Sequence, residues 1–281
     1  MAKRILSPRN DFVFKLLFGD QRNSGILADF LKAALPLPAG EYDHLVVVDP
    51  HLKREFEDDK TGILDVKVHT KGGIVINVEI QVAASPELRN RIVLYGAKML
   101  TEQVKRGNTW GRVEQVISIV IMNEILVPEE TGYYNKYALC NRESGGPFTE
   151  LLGINILELP KLPKEADGNP LWYWGSFLKC EKAEEFKVVA EKDPGVKKAV
   201  AALMELSEDE RTQMLQDARD RWLTDHQNAM NYKYRLGKEE GRNEGKKAAV
   251  LEIAQKMKDL GIPENQIAEA AGLSPAEIAK L

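Results

Sequence analysis

Cysteine and histidine are scarce in this chain of 281 residues. Its two cysteines, Cys140 and Cys180, are too few for a disulfide framework and lack the paired spacing of a zinc site. The four histidines are scattered, and no two of them have the helical spacing of a metal-binding pair. The sequence therefore indicates neither a disulfide-stabilised secreted domain nor a zinc enzyme.

Long hydrophobic runs are also missing. Hydrophobic residues make up 43% of the chain and charged residues 29%, but no apolar run approaches the length that crosses a bilayer. The first eight residues contain no hydrophobic signal region. We therefore expect a cytoplasmic protein with one substantial core, an appended segment and no membrane association.

Basic residues are not in excess, because the formal charge of the chain is −4. Non-specific nucleic-acid binding depends on phosphate neutralisation, so any contact with DNA must be local. Two groups of cations are candidates for such a contact. They are Lys3, Arg4, Arg9, Lys15 and Arg22 near the N-terminus, and Arg89, Arg91, Lys98, Lys105 and Arg106 in a later helical segment. The alternative is that these long side chains solvate a helix face.

Residues 63–82 have the pattern of a β-hairpin, and the rest of the chain is arranged around it. β-Branched residues alternate with polar ones at period two on both sides of a glycine-containing segment, 71–73. A three-residue turn at this segment determines which residues of the two strands lie opposite each other. In that register Asp65 lies opposite Glu79.

The polar residues of this hairpin share one face. Strand alternation places Asn77, Glu79 and Gln81 together in the second strand, and it places Asp65 beside Lys67 in the first. Mg²⁺ prefers oxygen ligands and binds one or two carboxylates, so Asp65 and Glu79 have the chemistry of a metal site. The alternative is a sheet with one solvated face, on which these side chains are ordinary surface residues.

Four motifs occur in order along the chain. The segment Asn10-Asp11-Phe12-Val13-Phe14-Lys15-Leu16-Leu17-Phe18-Gly19 comes first, and Val78-Glu79-Ile80-Gln81 follows. Arg91 and Tyr95 come next, four residues apart, and a glycine- and glutamate-containing segment at 237–241 comes last. Together with the upstream Asp65, these motifs resemble the PD-(D/E)XK nucleases and, more narrowly, the PD-(D/E)XK family transposases, the recombination-promoting nucleases. The resemblance covers nearly the whole chain, with Gln81 in place of the usual lysine.

This resemblance implies an α/β fold with a restriction-endonuclease-like mixed central sheet flanked by helices, followed by an all-α C-terminal extension. It also implies a DNA endonuclease that depends on Mg²⁺ or Mn²⁺. The metal ligands would be Asp65, Glu79 and the carbonyl of Ile80, and Gln81 would orient the nucleophile. Because glutamine is uncharged, the loss of the lysine would slow cleavage by about 10²–10³-fold unless Lys67 supplies the cation.

Other residues complete the site that the resemblance implies. Asp11 would be an auxiliary acid, and the alternative is that it stabilises the first turn of a helix through the helix dipole. DNA would contact Lys15, Arg91, Tyr95 and Lys98, although a tyrosine in this position is also typical of an amphipathic helix core. The alternative function is a DNA-binding or assembly protein that keeps the nuclease fold without its activity.

The remaining pattern predicts a nuclease-like domain over residues 1–165. Apolar spacing and proline positions predict a helix over 10–34, interrupted near Gly19 and Gly25, a strand over 45–49 and a helix from Ser85 to about Arg106. Strands are predicted at 116–122, 134–139 and 155–159, and the first of these is apolar enough to be buried on both faces. Proline and glycine between 159 and 170 indicate a linker, so we place a domain boundary there.

Beyond this linker the sequence predicts a helical extension over residues 171–260. Trp172, Trp174 and Phe177 would dock its first helix on the core, and base stacking is the alternative role for these rings. A small tail follows at residues 261–281. It resembles a helix-turn-helix, with Gly272 at the turn, but its acidic surface is poor for reading DNA. A packing or oligomerisation element is therefore an equal alternative for the tail.

Three glycines recur every fourth residue in a long polar helix predicted over 208–260. Gly237, Gly241 and Gly245 lie on one face of this helix, and each costs about 1 kcal/mol relative to alanine. Close approach of a second helix would compensate for this cost, and the alternative is that the glycines mark a flexible region. We therefore expect a homodimer that forms through the C-terminal helices.

Overall fold

The computed structural model describes residues 5–50, 64–104 and 113–278, and it has a mixed α/β fold built on one central sheet. The strands are β1 (Val46–Val48), β2 (Val66–His69), β3 (Val75–Gln81), β4 (Val116–Met122), β5 (Tyr134–Cys140) and β6 (Pro147–Glu158). They lie in the order β1-β2-β3-β4-β6-β5. β3, β4 and β6 run parallel, whereas β1–β2, β2–β3 and β5–β6 are antiparallel pairs. The predicted mixed sheet is therefore confirmed.

β2 and β3 form the predicted hairpin. Val66 pairs with Val78, and a backbone hydrogen bond of 3.0 Å closes a three-residue turn that ends at Gly73. Gly73 has φ +95°, a backbone conformation that side chains other than glycine rarely adopt. Continued by one residue, this register places Asp65 opposite Glu79, as the sequence predicted.

Helices flank the sheet in the first part of the chain. They are α1 (Asp11–Phe18), α2 (Ser24–Ala34), α3 (Leu88–Thr101), α4 (Pro170–Lys179), α5 (Ala183–Ala190) and α6 (Pro194–Glu208). The single helix predicted over 10–34 is divided into α1 and α2. Gly19 ends α1, and the side chain of Asp20 then begins a short 3-10 helix by accepting a hydrogen bond from the Arg22 N–H. Local capping therefore breaks the helix near the predicted interruption.

Helices α4 to α6 belong to the same hydrophobic core as α1 and α2. Trp174 of α4 is fully buried, and its ring centroid lies 6.1 Å from that of Phe18 and 5.5 Å from that of Phe30. The predicted docking of this helix is confirmed. The chain divides into two compact units, Met1–Asp217 and Ala218–Leu281. The proline-rich segment before α4 thus lies within the first unit, because the aromatic residues of α4 complete its core.

Both faces of the sheet are covered by helices. On one face α1 and α2 pack in the same core cluster as Val66, Val78 and Ile119. On the other face α3 packs closely enough that a Cβ added to Gly96 would lie 2.7 Å from the side chain of Leu152 in β6. Glycine at this position therefore permits the close approach of α3 to the sheet.

The second unit contains most of α7 (Glu210–Asp259) and two short helices, α8 (Glu264–Ala271) and α9 (Pro275–Ile278). Its small core includes Ala254, Ile267 and Ile278. Gly272 has φ +64° and forms the turn between α8 and α9, as predicted for the tail. None of the helices that the structure describes is long and apolar enough to cross a membrane.

The three spaced glycines lie within α7. A Cβ added to Gly237, Gly241 or Gly245 would meet no atom within 4 Å. Contacts within the described part of the chain therefore do not require glycine at these positions. A homodimer through the C-terminal helices stays a prediction, and light scattering of the intact protein tests it.

Candidate active site

Asp65 directly precedes β2 and is held by a hydrogen bond from the neighbouring strand β3. Its Oδ2 accepts a hydrogen bond from the backbone N–H of Ile80 (2.9 Å). This bond draws the Asp65 carboxylate toward β3, beside Glu79. Its other oxygen, Oδ1, lies 3.1 Å from the Nζ of Lys15 in α1. Asp65 is therefore positioned by a backbone donor on one side and a cation on the other.

Glu79 is held by side chains of its own strand. Asn77 donates to its Oε1 (2.9 Å), and Gln81 donates to its Oε2 (3.3 Å). The Oε1 of Gln81 in turn accepts a hydrogen bond from the guanidinium of Arg91 in α3 (2.6 Å). Arg91 thereby orients the Gln81 amide so that its NH₂ group faces Glu79.

The polar row of the hairpin is buried under α3. The exposed fraction is 1% for Asn77, 5% for Glu79 and 9% for Lys67. The alternative of a sheet with a solvated polar face is therefore wrong for these residues. Because buried polar groups cost free energy unless they are bonded, the row depends on the network of contacts around it.

Burial raises the pKa of the Asp65 carboxyl group, because the ionised form loses its hydration. The Ile80 N–H and the Lys15 ammonium lower this pKa, whereas the negative charge of Asp11 raises it further. Asn10 caps α1, and Asp11 lies in the first turn of this helix, where its Oδ1 accepts a hydrogen bond from the Phe12 N–H (2.8 Å). The role of Asp11 as an auxiliary acid stays a prediction.

Burial also raises the pKa of Glu79. The hydrogen bond from Asn77 lowers this pKa, and the negative charge of Asp65 raises it. A divalent cation relieves the repulsion between two such carboxylates, and Mg²⁺ binds one or two carboxylates with water and carbonyl oxygens in its other positions. No cluster of three or more histidine, cysteine or acidic residues suited to a metal occurs in the described ranges. Asp65 and Glu79 offer carboxylate oxygens, the ligand type that Mg²⁺ and Mn²⁺ prefer.

Lys67 faces the same side of the sheet as Glu79, but its ammonium bonds to Glu102 at the end of α3 (2.9 Å). Both side chains of this pair are largely buried. The structure therefore brings Lys15, and not Lys67, into contact with Asp65. No sequence signal pointed to Glu102, because this pairing depends on where α3 ends over the sheet.

Replacement of Lys67 with methionine is expected to lower the free energy of unfolding by about 3–5 kcal/mol, because it leaves the buried Glu102 carboxylate unpaired. The double variant K67M/E102L removes both charges and should recover most of that loss. Chemical denaturation measures both variants. A K67M protein as stable as the wild type would contradict the role of this pair in stability. A double variant that is stable but does not cut DNA would instead assign Lys67 to the chemistry.

The four residues expected to contact DNA do not share one environment in the structure. Arg91 donates a hydrogen bond to Gln81, and Lys15 forms an ion pair with Asp65. Tyr95 packs in a hydrophobic cluster with Leu64, which departs from the predicted alternation by lying on the α3 side of the sheet. The core interpretation of Tyr95 is therefore favoured. Lys98 is half-buried one turn farther along α3.

A family model described as PD-(D/E)XK nuclease family transposase matches residues 8–233. The chain belongs to this family. The matched range contains both carboxylates, Gln81 and the helices α1 and α3 that surround them. The predicted family and fold class are thereby confirmed. A search of curated proteins and of solved structures found no match.

Two further contacts of this PD-(D/E)XK family member were not predicted from the sequence. Asn77 was placed on the polar face without a role, although its position two residues before Glu79 was a signal that it shares the same site. The contact between Lys15 and Asp65 had no such signal. It depends on how α1 packs against the sheet, which alternation within the hairpin does not determine.

Proposed function

We propose that this protein is a divalent-metal-dependent DNA endonuclease that hydrolyses phosphodiester bonds. The observation that carries the proposal is a pair of neighbouring carboxylates, the largely buried Asp65 directly before β2 and the buried Glu79 in β3. Each has a raised pKa, so holding both in the ionised form costs free energy unless a cation is bound. Membership of the nuclease family supports DNA as the substrate.

Asp65, Glu79 and the backbone carbonyl of Ile80 would hold Mg²⁺ or Mn²⁺. When bound, such an ion polarises a phosphate oxygen and lowers the pKa of a bound water. The protein's part is to orient its ligands. Asn77 and Gln81 hold the Glu79 carboxylate, and the Ile80 N–H holds that of Asp65.

Gln81 occupies the position at which the family motif usually has lysine. Its amide is a fixed hydrogen-bond donor, but it adds no positive charge. We propose that Lys15 supplies this charge, because its ammonium lies 3.1 Å from Asp65. Lys67 is the weaker candidate, because its ammonium is bonded to Glu102. Asp11 acts on the same site as an auxiliary acid.

A plasmid-nicking assay tests this function by metal addition and removal. Supercoiled plasmid should be converted to open circles with Mg²⁺ or Mn²⁺, and a chelator should stop the conversion. Calorimetry of metal binding to the isolated protein gives a readout that does not depend on cleavage, and Asp65→Asn should remove this binding. Nicking that persists in chelator, or a protein that binds no metal, would refute the proposal.

The replacement of lysine by Gln81 favours one alternative, a nuclease-fold protein that binds DNA or assembles on it without cutting. This alternative predicts DNA binding that does not depend on metal. It also predicts no nicking at any Mg²⁺ or Mn²⁺ concentration. The same assay therefore separates the two functions.

A further inference from the structure

Several of the cations expected to contact DNA are engaged in ion pairs within the first unit. Arg9 pairs with Glu181, Arg22 with Asp20 and Arg89 with Glu129. The candidates Lys3, Arg4, Lys105 and Arg106 lie outside the described residues. A paired cation attracts a phosphate less, because its carboxylate partner competes for it. Arg9, Arg22 and Arg89 are therefore weaker phosphate ligands than unpaired cations.

A different group of polar and basic residues lies on α7. These residues follow one another at intervals of three or four positions, so they share one face of the helix. They are Asn228, Asn231, Arg235, Lys238, Arg242 and Lys246. We call this set the basic stripe. All six residues are exposed.

The four cations of the basic stripe have no hydrogen-bond or ion-pair partner among the residues that the structure describes. Between Asp225 and Glu252 the helix carries six basic and three acidic residues. At 3.6 residues per turn, Glu240 and Glu244 lie on the side opposite the stripe, and Glu239 flanks it. The stripe is therefore a local positive surface on a chain whose formal charge is −4.

We propose that the basic stripe binds the phosphate backbone of DNA, an inference that rests on the proposed function as a DNA endonuclease. Arginine and lysine neutralise phosphates, and asparagine amides donate to phosphate oxygens and base edges. From Asn228 to Lys246 the helix rises about 27 Å. That length corresponds to about eight base pairs of duplex.

An anionic membrane fits this helix less well. A helix that lies on a membrane needs an apolar face beside its basic one. The exposed apolar residues nearby form two separate pairs, Met230 with Tyr234 and Tyr232 with Leu236. Helical spacing places these pairs on different sides of α7. The stripe therefore combines charged and polar side chains without an adjoining apolar face. This composition suits the hydrated phosphates of DNA better than a lipid surface.

Binding of the full-length protein to a fluorescent DNA duplex, measured in chelator so that nothing is cut, tests the proposal. The variant R235Q/K238Q/R242Q/K246Q should lose affinity on the order of 10²-fold at physiological salt. Each phosphate contact contributes about 0.9 to the slope of log affinity against log salt, so the slope should fall by roughly three to four. Glu239→Gln, which removes the flanking acid, should raise the affinity.

A matched pair of variants separates the stripe from the overall charge of α7. K238Q/K246Q lies on the stripe and K233Q/K247Q lies off it, and both remove two lysines from the same helix. The first should weaken binding several-fold more than the second. Equal losses would overturn the proposal. Binding to phosphatidylserine vesicles as tight as that to duplex would also overturn it, in favour of a lipid surface.

DNA binding by the stripe and DNA cleavage at the carboxylates can be tested separately. Asp65→Asn should bind duplex as tightly as the wild type and cut nothing. A wild-type protein that binds through the stripe but nicks no plasmid with any metal would refute the nuclease and leave the stripe as a DNA-binding surface. A protein that nicks plasmid with unchanged affinity in the quadruple variant would refute the stripe alone.

Discussion

Asp65→Asn and Glu79→Gln are each expected to abolish metal-dependent DNA cleavage in a protein that stays folded. Both substitutions keep the volume of the side chain, so they open no cavity. Each removes one of the two negative charges that we propose bind the divalent ion. Because the two carboxylates would act on one ion, the single and double variants should be about equally inactive. Nicking rates on supercoiled plasmid at saturating Mg²⁺ measure this loss.

Glu87→Gln is the matched control for these variants. Glu87 is an exposed acidic residue directly before α3, and its side chain makes no capping hydrogen bond to that helix. The control removes one carboxylate close to the site in sequence and should nick DNA at the wild-type rate. Near wild-type nicking by Asp65→Asn or Glu79→Gln, with an unchanged Mg²⁺ dependence, would show that the metal site is wrongly assigned.

The same two variants should change how the stability of the metal-free protein depends on pH. Burial raises the pKa of Asp65 and Glu79 above their ordinary values of 3.8 and 4.5, so the folded protein binds these protons more tightly than the unfolded chain does. The stabilisation that comes from protonating these two carboxyl groups is therefore fully present below their ordinary pKa values. It is lost as the pH rises through the raised pKa values of the folded protein.

Thermal unfolding in chelator tests this linkage. The wild type should lose stability relative to both variants as the pH rises, and at neutral pH the variants should be at least as stable as the wild type. Addition of Mg²⁺ should stabilise the wild type, because the ion binds the folded state, and should have little effect on either variant. A wild type that shows neither the loss nor the gain would contradict the desolvated carboxylate pair.

The opposition of Asp65 and Glu79 was predictable because the information for it is local. Period-two alternation and a three-residue turn determine the hairpin register within one short segment. Gly73 adopts the positive φ that such a turn requires. The same pattern also showed which polar side chains share a face, and these proved to be the side chains around Glu79.

The burial of that face and the identity of its cations were not predictable from the hairpin. A row of polar residues at period two looks the same in sequence whether water or a helix covers it. The packing of α3 decides that Lys67 meets Glu102, and the packing of α1 decides that Lys15 meets Asp65. Both contacts join elements that are distant along the chain.

The place at which the chain divides into compact units also depends on packing between distant elements. The segment before α4 has the proline and glycine content of a linker. Asn169 nevertheless caps α4 directly after it, by accepting a hydrogen bond from the Leu171 N–H (3.0 Å). Trp174 then continues the core of the first unit. Composition identified a surface connection, but whether that connection separates two cores depends on the packing of the helix that follows it.

Lys15→Gln is expected to reduce DNA cleavage by about 10²–10³-fold and to leave the affinity for duplex DNA nearly unchanged. The substitution removes the positive charge that lies 3.1 Å from Asp65. It should also tighten Mg²⁺ binding, because the ammonium no longer competes with the ion for the Asp65 carboxylate. A slower rate with tighter metal binding would separate a role in the chemistry from loss of the site. A contact with DNA alone would instead weaken affinity and leave kcat unchanged.

The double variant K15Q/Q81K should recover much of the lost cleavage, because it returns a lysine to the position that the family motif usually gives it, beside Glu79. Lys15→Arg keeps the charge with a different shape and should retain part of the activity. Single-turnover nicking rates, DNA affinity and metal binding are compared among the wild type, Lys15→Gln, Lys15→Arg and K15Q/Q81K. If Lys15→Gln cuts at the wild-type rate, the ion pair with Asp65 is structural. Lys15→Gln could instead lose activity that neither the added Q81K substitution nor arginine at position 15 recovers. The loss would then not come from a missing cation, and the role assigned to Lys15 would be wrong.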